Sequence, residues 1–306
     1  MTNQQNTQTP SNPIDEMYKA NLRQSLPPSC RVDTKTLKKL LETLNQSCRE
    51  AANREIAALK KEAFNESDYQ RIVENILKGY EINIEVIGAK GEYFASTKRS
   101  ILDDDKLPEI VNRITFDSAF TYKSIFKSAP PDSVRIVLDF HKPPLFDFVS
   151  NPSFSTRNDS LIEVVGRSDS WVNGVHEMVV QTLKDRATKR AWLHKQSIYD
   201  LFLWFFVLPL SIWNLHKFLS TRPMILQNLS GVLSVFVFIY FFVLVLFSFR
   251  AFFNYSRWLF PYVELETTAK TISSRHRVFF SGLTIFLVYG LVQDFIFWIF
   301  RKLFQG

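Results

Sequence analysis

The sequence predicts an α+β cytosolic domain (two N-terminal helices, an antiparallel sheet and a C-terminal helix) followed by an all-α region of three transmembrane helices. Three observations carry this expectation. Of the 29 Phe, nine precede Tyr199 and twenty follow it, while 26 of the 30 acidic residues precede it. After Tyr199 come three long apolar stretches; before it, hydrophobic periodicity changes from helical to alternating. The averages over 306 residues, 46% hydrophobic and 22% charged, therefore mix a polar half with a membrane half. That division excludes a purely soluble enzyme, a secreted disulfide scaffold and a fully disordered chain.

Residues 1–32 are rich in Asn, Gln, Thr, Ser and Pro, and are expected to form a disordered polar tail. Residues 33–80 form a helical segment. Asp33 is a suitable N-cap for an amphipathic helix reaching about Phe64, with Leu37, Leu40, Leu41, Leu44 and Cys48 on one face. Ser67 and Gln70 read as a capping-box pair opening a second helix that Gly79 closes. Residues 81–195 then read as the α+β domain. Ile82, Ile84 and Val86 alternate with polar residues, and the strand candidates that follow are Tyr93–Ala95, Thr115–Phe126, Val134–Phe140 and Leu161–Val165. Leu107–Ile114 reads as a short helix with Pro108 in its first turn. Asp169 caps a helix with Val172, Val175, His176, Val179 and Leu183 on one face, and that helix runs towards the membrane.

Residues 196–306 form the membrane region, with spans at about 201–219, 229–249 and 278–300. Leu229–Phe249 has 21 residues without a charge, enough to cross a hydrocarbon core of about 30 Å. The first stretch contains Pro209, Asn214, His216 and Lys217; the third contains Gln293 and Asp294. Pro209 removes a hydrogen-bond donor and is expected to kink its helix. Asp294 lies about 9 Å inside its helix end, where an unpaired carboxylate is costly, so it is expected to pair with His216 or Lys217. It reads either as part of a polar path or as an interfacial carboxylate reaching headgroups.

The net charge of +7 concentrates beside the membrane. Lys184, Arg186, Lys189, Arg190 and Lys195 precede the first span and suit contacts with anionic lipid headgroups. Five basic residues lie in Arg250–Arg277, whereas the loop Ser220–Asn228 holds only Arg222. Positive residues stay inside, so the N-terminal domain is expected in the cytosol and the C-terminus on the opposite side. No apolar stretch resembling a signal peptide opens the sequence. Cys30 and Cys48 read as reduced cytosolic thiols, and nucleic acid is not an expected partner, because the basic excess is juxtamembrane.

No catalytic arrangement, cofactor motif or metal-ligand spacing stands out: His176-Glu177 lacks a second His at zinc-helix spacing, and GAKGEY lacks phosphate-loop chemistry. No enzyme and no cofactor are expected. Leu138–Phe148 is more distinctive. Pro143 and Pro144 interrupt a strand between two Asp-Phe pairs, Asp139-Phe140 and Asp147-Phe148. That segment reads as a partner-binding edge, or as a strand ending in a rigid turn whose Phe residues fill the core. The function expected is a multi-pass membrane protein whose cytosolic domain senses a small molecule or binds a protein. The alternative is a homo-oligomeric channel or pore-forming effector gated by that domain, and a membrane-embedded enzyme or transporter component stands behind both.

Overall fold

The structure is a computed structural model describing residues 21–145, 150–221, 231–266 and 276–282. The chain divides into two units. The first comprises residues up to Phe140 together with Asn158–Thr188 and Val263–Glu266. The second comprises His141–Arg157, Lys189–Tyr262 and the residues from Thr267.

In the first unit, two strands come before any helix: β1 (Asn21–Ser25) and β2 (Cys30–Asp33). They are followed by α1 (Thr34–Ala57), α2 (Glu66–Gly79), β3 (Asn83–Gly88), β4 (Tyr93–Ser96), β5 (Val111–Asp117), α3 (Ala119–Phe126), β6 (Ser133–Asp139), β7 (Leu161–Gly166) and α4 (Asp169–Lys184). The main sheet is antiparallel throughout, in the order β1-β7-β6-β5-β3-β4. One face, carrying Ile84, Val86, Ile114, Phe116, Ile136, Leu138, Ile162 and Val164, is fully buried. Helix α1 supplies Leu37, Leu40, Leu41 and Leu44 to this core, and α4 supplies Val172, Val175, Val179 and Leu183.

Several expectations are corrected here. The domain does not open on two helices, because β1 and β2 precede them and α3 lies between sheet strands. Strand β1 escaped notice because its inward residues are polar. Arg23 Nη1 donates to Asn173 Oδ1 (2.7 Å) and Ser25 Oγ bonds His176 Nε2 (2.8 Å), both on α4. Its partner β7 is also far away in sequence. The run Thr115–Phe126 is broken at Ser118, a fully buried residue whose Oγ accepts from Val134 N–H (2.9 Å). Asp117 Oδ1 then caps α3 by accepting from Ala119 N–H (2.8 Å). Leu107–Ile110 is not helical; Ile110 O accepts from Ala89 N–H instead, and Val111 begins β5. Asp33 does cap α1, accepting from Thr36 N–H at 2.7 Å, but the helix ends at Ala57. Asn65, rather than Ser67, caps α2.

A second, two-stranded sheet was not foreseen. Strand β2 pairs in parallel with β8 (Val263–Glu266), in the register Cys30–Val263 to Asp33–Glu266. On its other side β2 holds the segment after α4: Cys30 bridges Ala187, Arg31 N–H donates to Arg186 O (3.0 Å) and Thr188 N–H donates to Ser29 O (2.8 Å). Strand spacings are about 4.8 Å, so the last residue before the excursion and the first after it flank one strand about 10 Å apart. The first unit therefore holds both ends of residues 189–262.

Among its described residues, the second unit contains two helices long and apolar enough to cross a membrane. Helix α5 (Ile198–Thr221) includes a π-helical turn at Leu203–Val207, where Leu208 N–H donates to Leu203 O. This turn directly precedes Pro209, which cannot donate to the carbonyl one turn back. Helix α6 (Gly231–Leu259) is ten residues longer at its C-terminal end than the span 229–249. At 1.5 Å per residue the helices measure about 36 and 43 Å, each longer than a hydrocarbon core. Tyr199, at the start of α5, stacks on Phe249 and packs edge-on against Phe253 near the end of α6, so the pair is antiparallel. The expected three-helix membrane region is corrected to this helical pair. Of Val278–Phe300 only Val278–Gly282 are described, and strand β8 of the first unit comes between α6 and them in the chain.

Candidate functional site

The first unit carries a cavity of about 230 Å³ lined by Ala51, Arg54, Glu55, Pro131, Asp132, Arg167 and Ser168. Four elements build it: the last turn of α1, the loop entering β6, the turn leaving β7 and the start of α4. Asp132 is buried, accepting from Arg54 Nη2 (2.8 Å) and Arg167 N–H (2.8 Å). Gly166 makes this approach possible, because a Cβ there would lie 2.8 Å from Asp132 Oδ1 and 2.9 Å from Trp171 Cε3. Glu55 accepts from two phenols, Tyr80 (2.8 Å) and Tyr122 (2.6 Å). Burial, and then the adjacent Glu55 carboxylate, push the Tyr80 hydroxyl well above its ordinary value. The Tyr80 phenol thus stays protonated and donating. Arg54 also lies 5.3 Å from the centre of the Trp171 ring.

In this arrangement the carboxylates are committed to tyrosines and arginine, which suits them to orienting donors rather than to moving protons. Arg54, Arg167 and Ser168 face a cavity sized for a small polar molecule. Nearby Cys48 is buried and its thiol is pushed up to about 12 by that burial, so it is not a nucleophile at neutral pH. Among the described residues no group of three or more His, Cys, Asp or Glu could hold a metal ion.

None of the residues singled out from the sequence lines this cavity. Asp139 and Phe140 are buried and structural: Asp139 Oδ2 accepts from Asp159 N–H (3.0 Å), and Phe140 N–H donates to Asn112 O (2.8 Å). Pro143 is half-buried and Pro144 exposed, in the second unit, while Asp147 and Phe148 lie outside the described residues. Of the basic residues, Lys184 is exposed at the end of α4, and Arg186 pairs with Asp33 (3.2 Å). Lys189 and Lys195 are exposed in the second unit, and Arg190 lies 4.8 Å over the Phe260 ring. His216 and Lys217 sit exposed in the last turns of α5; Asp294, their expected partner, lies outside the described residues. The cavity was missed because its residues come from distant stretches of chain.

In the second unit, Arg257 is buried and donates to three carbonyls, Leu193 O, Pro152 O and Phe154 O, each at 3.1 Å. His194 is buried beside it. Its Nε2 donates to Phe260 O (2.7 Å), so Nδ1 accepts from Thr156 Oγ1 (2.9 Å). Burial lowers the imidazole to about 4. The unfolded chain therefore binds a proton near pH 6.5 that the folded chain refuses, and stability falls as pH drops from about 6.5 towards 4. About 2 kcal/mol should be lost at pH 5 from this residue. Proteolytic nicking of residues 150–157 is expected to increase at pH 5 in the parent chain. In His194→Asn, which cannot titrate there, nicking should show no such pH dependence.

Comparison with family models, with curated proteins and with solved structures yields no match.

Proposed function

We propose that this chain is a membrane-anchored sensor whose α+β domain binds a small polar ligand in the Arg54–Asp132–Arg167 cavity. The observation that carries the reading is the placement of α1 and α4. Helix α1 ends at the cavity and begins at Asp33, the last residue of β2; α4 begins at the cavity and leads into residues 186–188, which also bind β2. Ligand-driven movement at the cavity would thus reach residues 188 and 263, which bound the stretch carrying the helical pair, through two rigid helices, of which α1 alone is about 36 Å long. A binding role, rather than an enzymatic one, is supported by the two carboxylates being held by structural donors.

The helical pair serves as the membrane anchor. The residues that bound the stretch 189–262 in sequence flank one strand of the first unit, which favours a hairpin whose two ends return to the same side. The basic residues Lys189, Arg190, Lys195 and Arg250 near those ends favour the cytosolic side and anionic lipid as their partner.

The test is thermal stabilisation of the full chain in detergent by a panel of amino acids, sugar phosphates and mononucleotides. A ligand at a hundredfold excess over its Kd contributes about 2.7 kcal/mol, which should raise the melting temperature by about 5–10 °C. Arg167→Ala, whose exposed side chain can be removed without leaving a buried hole, should abolish the shift. A shift that survives Arg167→Ala, or no shift with any of the three classes, would remove the cavity from the proposal.

A further inference from the structure

Two exposed aromatics of the second unit sit on backbone that is firmly held. Trp192 is 47% exposed and Phe154 61%. Trp192 belongs to a 3₁₀ turn, Lys189–His194, extended by a bond from Lys195 N–H to Trp192 O (3.2 Å). Residues three apart eclipse in such a turn, so Lys189, Trp192 and Lys195 line one side, all exposed. Leu193 and His194 turn inward and are buried. Phe154 lies in the adjoining loop 150–157, which several bonds fix to this turn and to both apolar helices. Thr156 N–H donates to His194 O (3.2 Å), and Ser197 N–H, beside the start of α5, donates to Ser153 O (2.7 Å). Arg250 of α6 donates to Ser150 O (2.6 Å), and Arg257 to Pro152 O and Phe154 O.

The helices set the depth of both aromatics. The uncharged run Leu229–Phe249 ends at Arg250. Tyr199 stacks on Phe249, and Phe202 lies one turn further along α5, about 4.5 Å deeper. The Trp192 ring lies 5.8 Å from Phe202, which is 5.5 Å from Phe206. An aromatic row thus runs from the turn onto the exposed apolar side of α5, where Phe206 lies. The attachments of the loop begin at Arg250 and end at Arg257, about 10 Å along the helix axis, comparable with the depth of a headgroup layer. Charge points the same way. The second unit holds 14 of the 37 basic residues and three of the 30 acidic ones, so the first unit has more acids than bases.

We propose that the Lys189–Trp192–Lys195 side of the turn, together with Phe154, enters the headgroup layer of the leaflet that holds the start of α5 and the end of α6. The rings occupy the boundary between hydrocarbon and headgroups, and the two lysines select anionic phospholipid there. This inference rests on reading α5 and α6 as membrane spans, and the experiment separates the two.

The experiment is quenching of tryptophan emission by brominated lipid, with the full chain reconstituted in phosphatidylcholine vesicles. The emission of one residue is the parent signal less that of its Trp→Phe variant. Trp204, exposed on α5, should be quenched most by lipid brominated at mid-chain. Trp192 should be quenched most by lipid brominated near the headgroup, and so should Phe154→Trp in a Trp192→Phe chain. Brominated phosphatidylserine should half-quench Trp192 at about one fifth of the mole fraction that brominated phosphatidylcholine needs, or less. Lys189→Gln with Lys195→Gln should remove that preference. Quenching of Trp204 without quenching of Trp192 would overturn the proposal and leave the anchor standing. An unquenched Trp204 would remove the anchor and the proposal together. A preference for phosphatidylserine that survives the double lysine substitution would overturn the selection of anionic lipid by this turn.

Discussion

Val263→Asp is expected to destabilise the α+β domain by about 3–5 kcal/mol, although the residue follows both apolar helices in sequence. Val263 is fully buried opposite Cys30 in the β2–β8 pair, and Val32, also fully buried, is its neighbour along the partner strand. The cation on the partner strand, Arg31, is already shared between Glu264 and Glu266. At about 2–4 °C per kcal/mol for a domain of this size, the melting temperature should fall by roughly 10 °C. Fluorescence-detected melting of the solubilised chain reads this directly. Glu266→Gln, a change at the partly exposed end of the same strand, should cost less than about 1 kcal/mol. If the two substitutions behave alike, β8 is not part of the domain's core.

The second large effect concerns Asp132→Ala. Removing this carboxylate leaves the Arg167 N–H without its acceptor and Arg54 without its ion-pair partner. Arg54 is partly exposed and recovers some solvation, so the expected loss is about 2–3 kcal/mol rather than the full cost of an orphaned buried charge. Gly166→Ala approaches the same point from the other side. Its Cβ would press on Asp132, Trp171 and Val172, and overpacking of this kind costs about 1–3 kcal/mol. The two share one contact, so the double variant should lose less than the sum of the singles. Urea melts of the four forms measure that coupling, and simple additivity would mean that Gly166 is not small for the sake of Asp132.

Local signals were readable along the chain. The N-cap at Asp33, the leucine face of α1, the alternation in β3 and the uninterrupted apolar run of α6 each depend on neighbours within one or two turns, and each is where the sequence places it. What escaped depends on distant pairing. Strand β1 shows a polar face to α4, so its composition resembles that of a disordered tail. Strand β8 is four residues with two glutamates, and nothing local marks it as the partner of Cys30–Asp33. The break at Ser118 splits one apolar run into strand and helix because a buried hydroxyl serves β6, a partner no local window contains. The cavity follows the same rule. Arg54 and Glu55 sit on the polar side of an amphipathic helix, where they read as solvated surface until Asp132, Tyr80 and Tyr122 are brought to them.

Side-specific labelling tests most directly the proposal that the α+β domain holds both ends of a membrane hairpin. Single cysteines at Lys195, Ser220 and Glu266, in a chain with Cys30 and Cys48 left buried, would be exposed to a membrane-impermeant maleimide in intact cells. Ser220→Cys is expected to label from outside, while Lys195→Cys and Glu266→Cys label only after the membrane is opened. Labelling of Lys195→Cys and Glu266→Cys from opposite sides, or of all three from one side, would contradict the hairpin and with it the tie through β2.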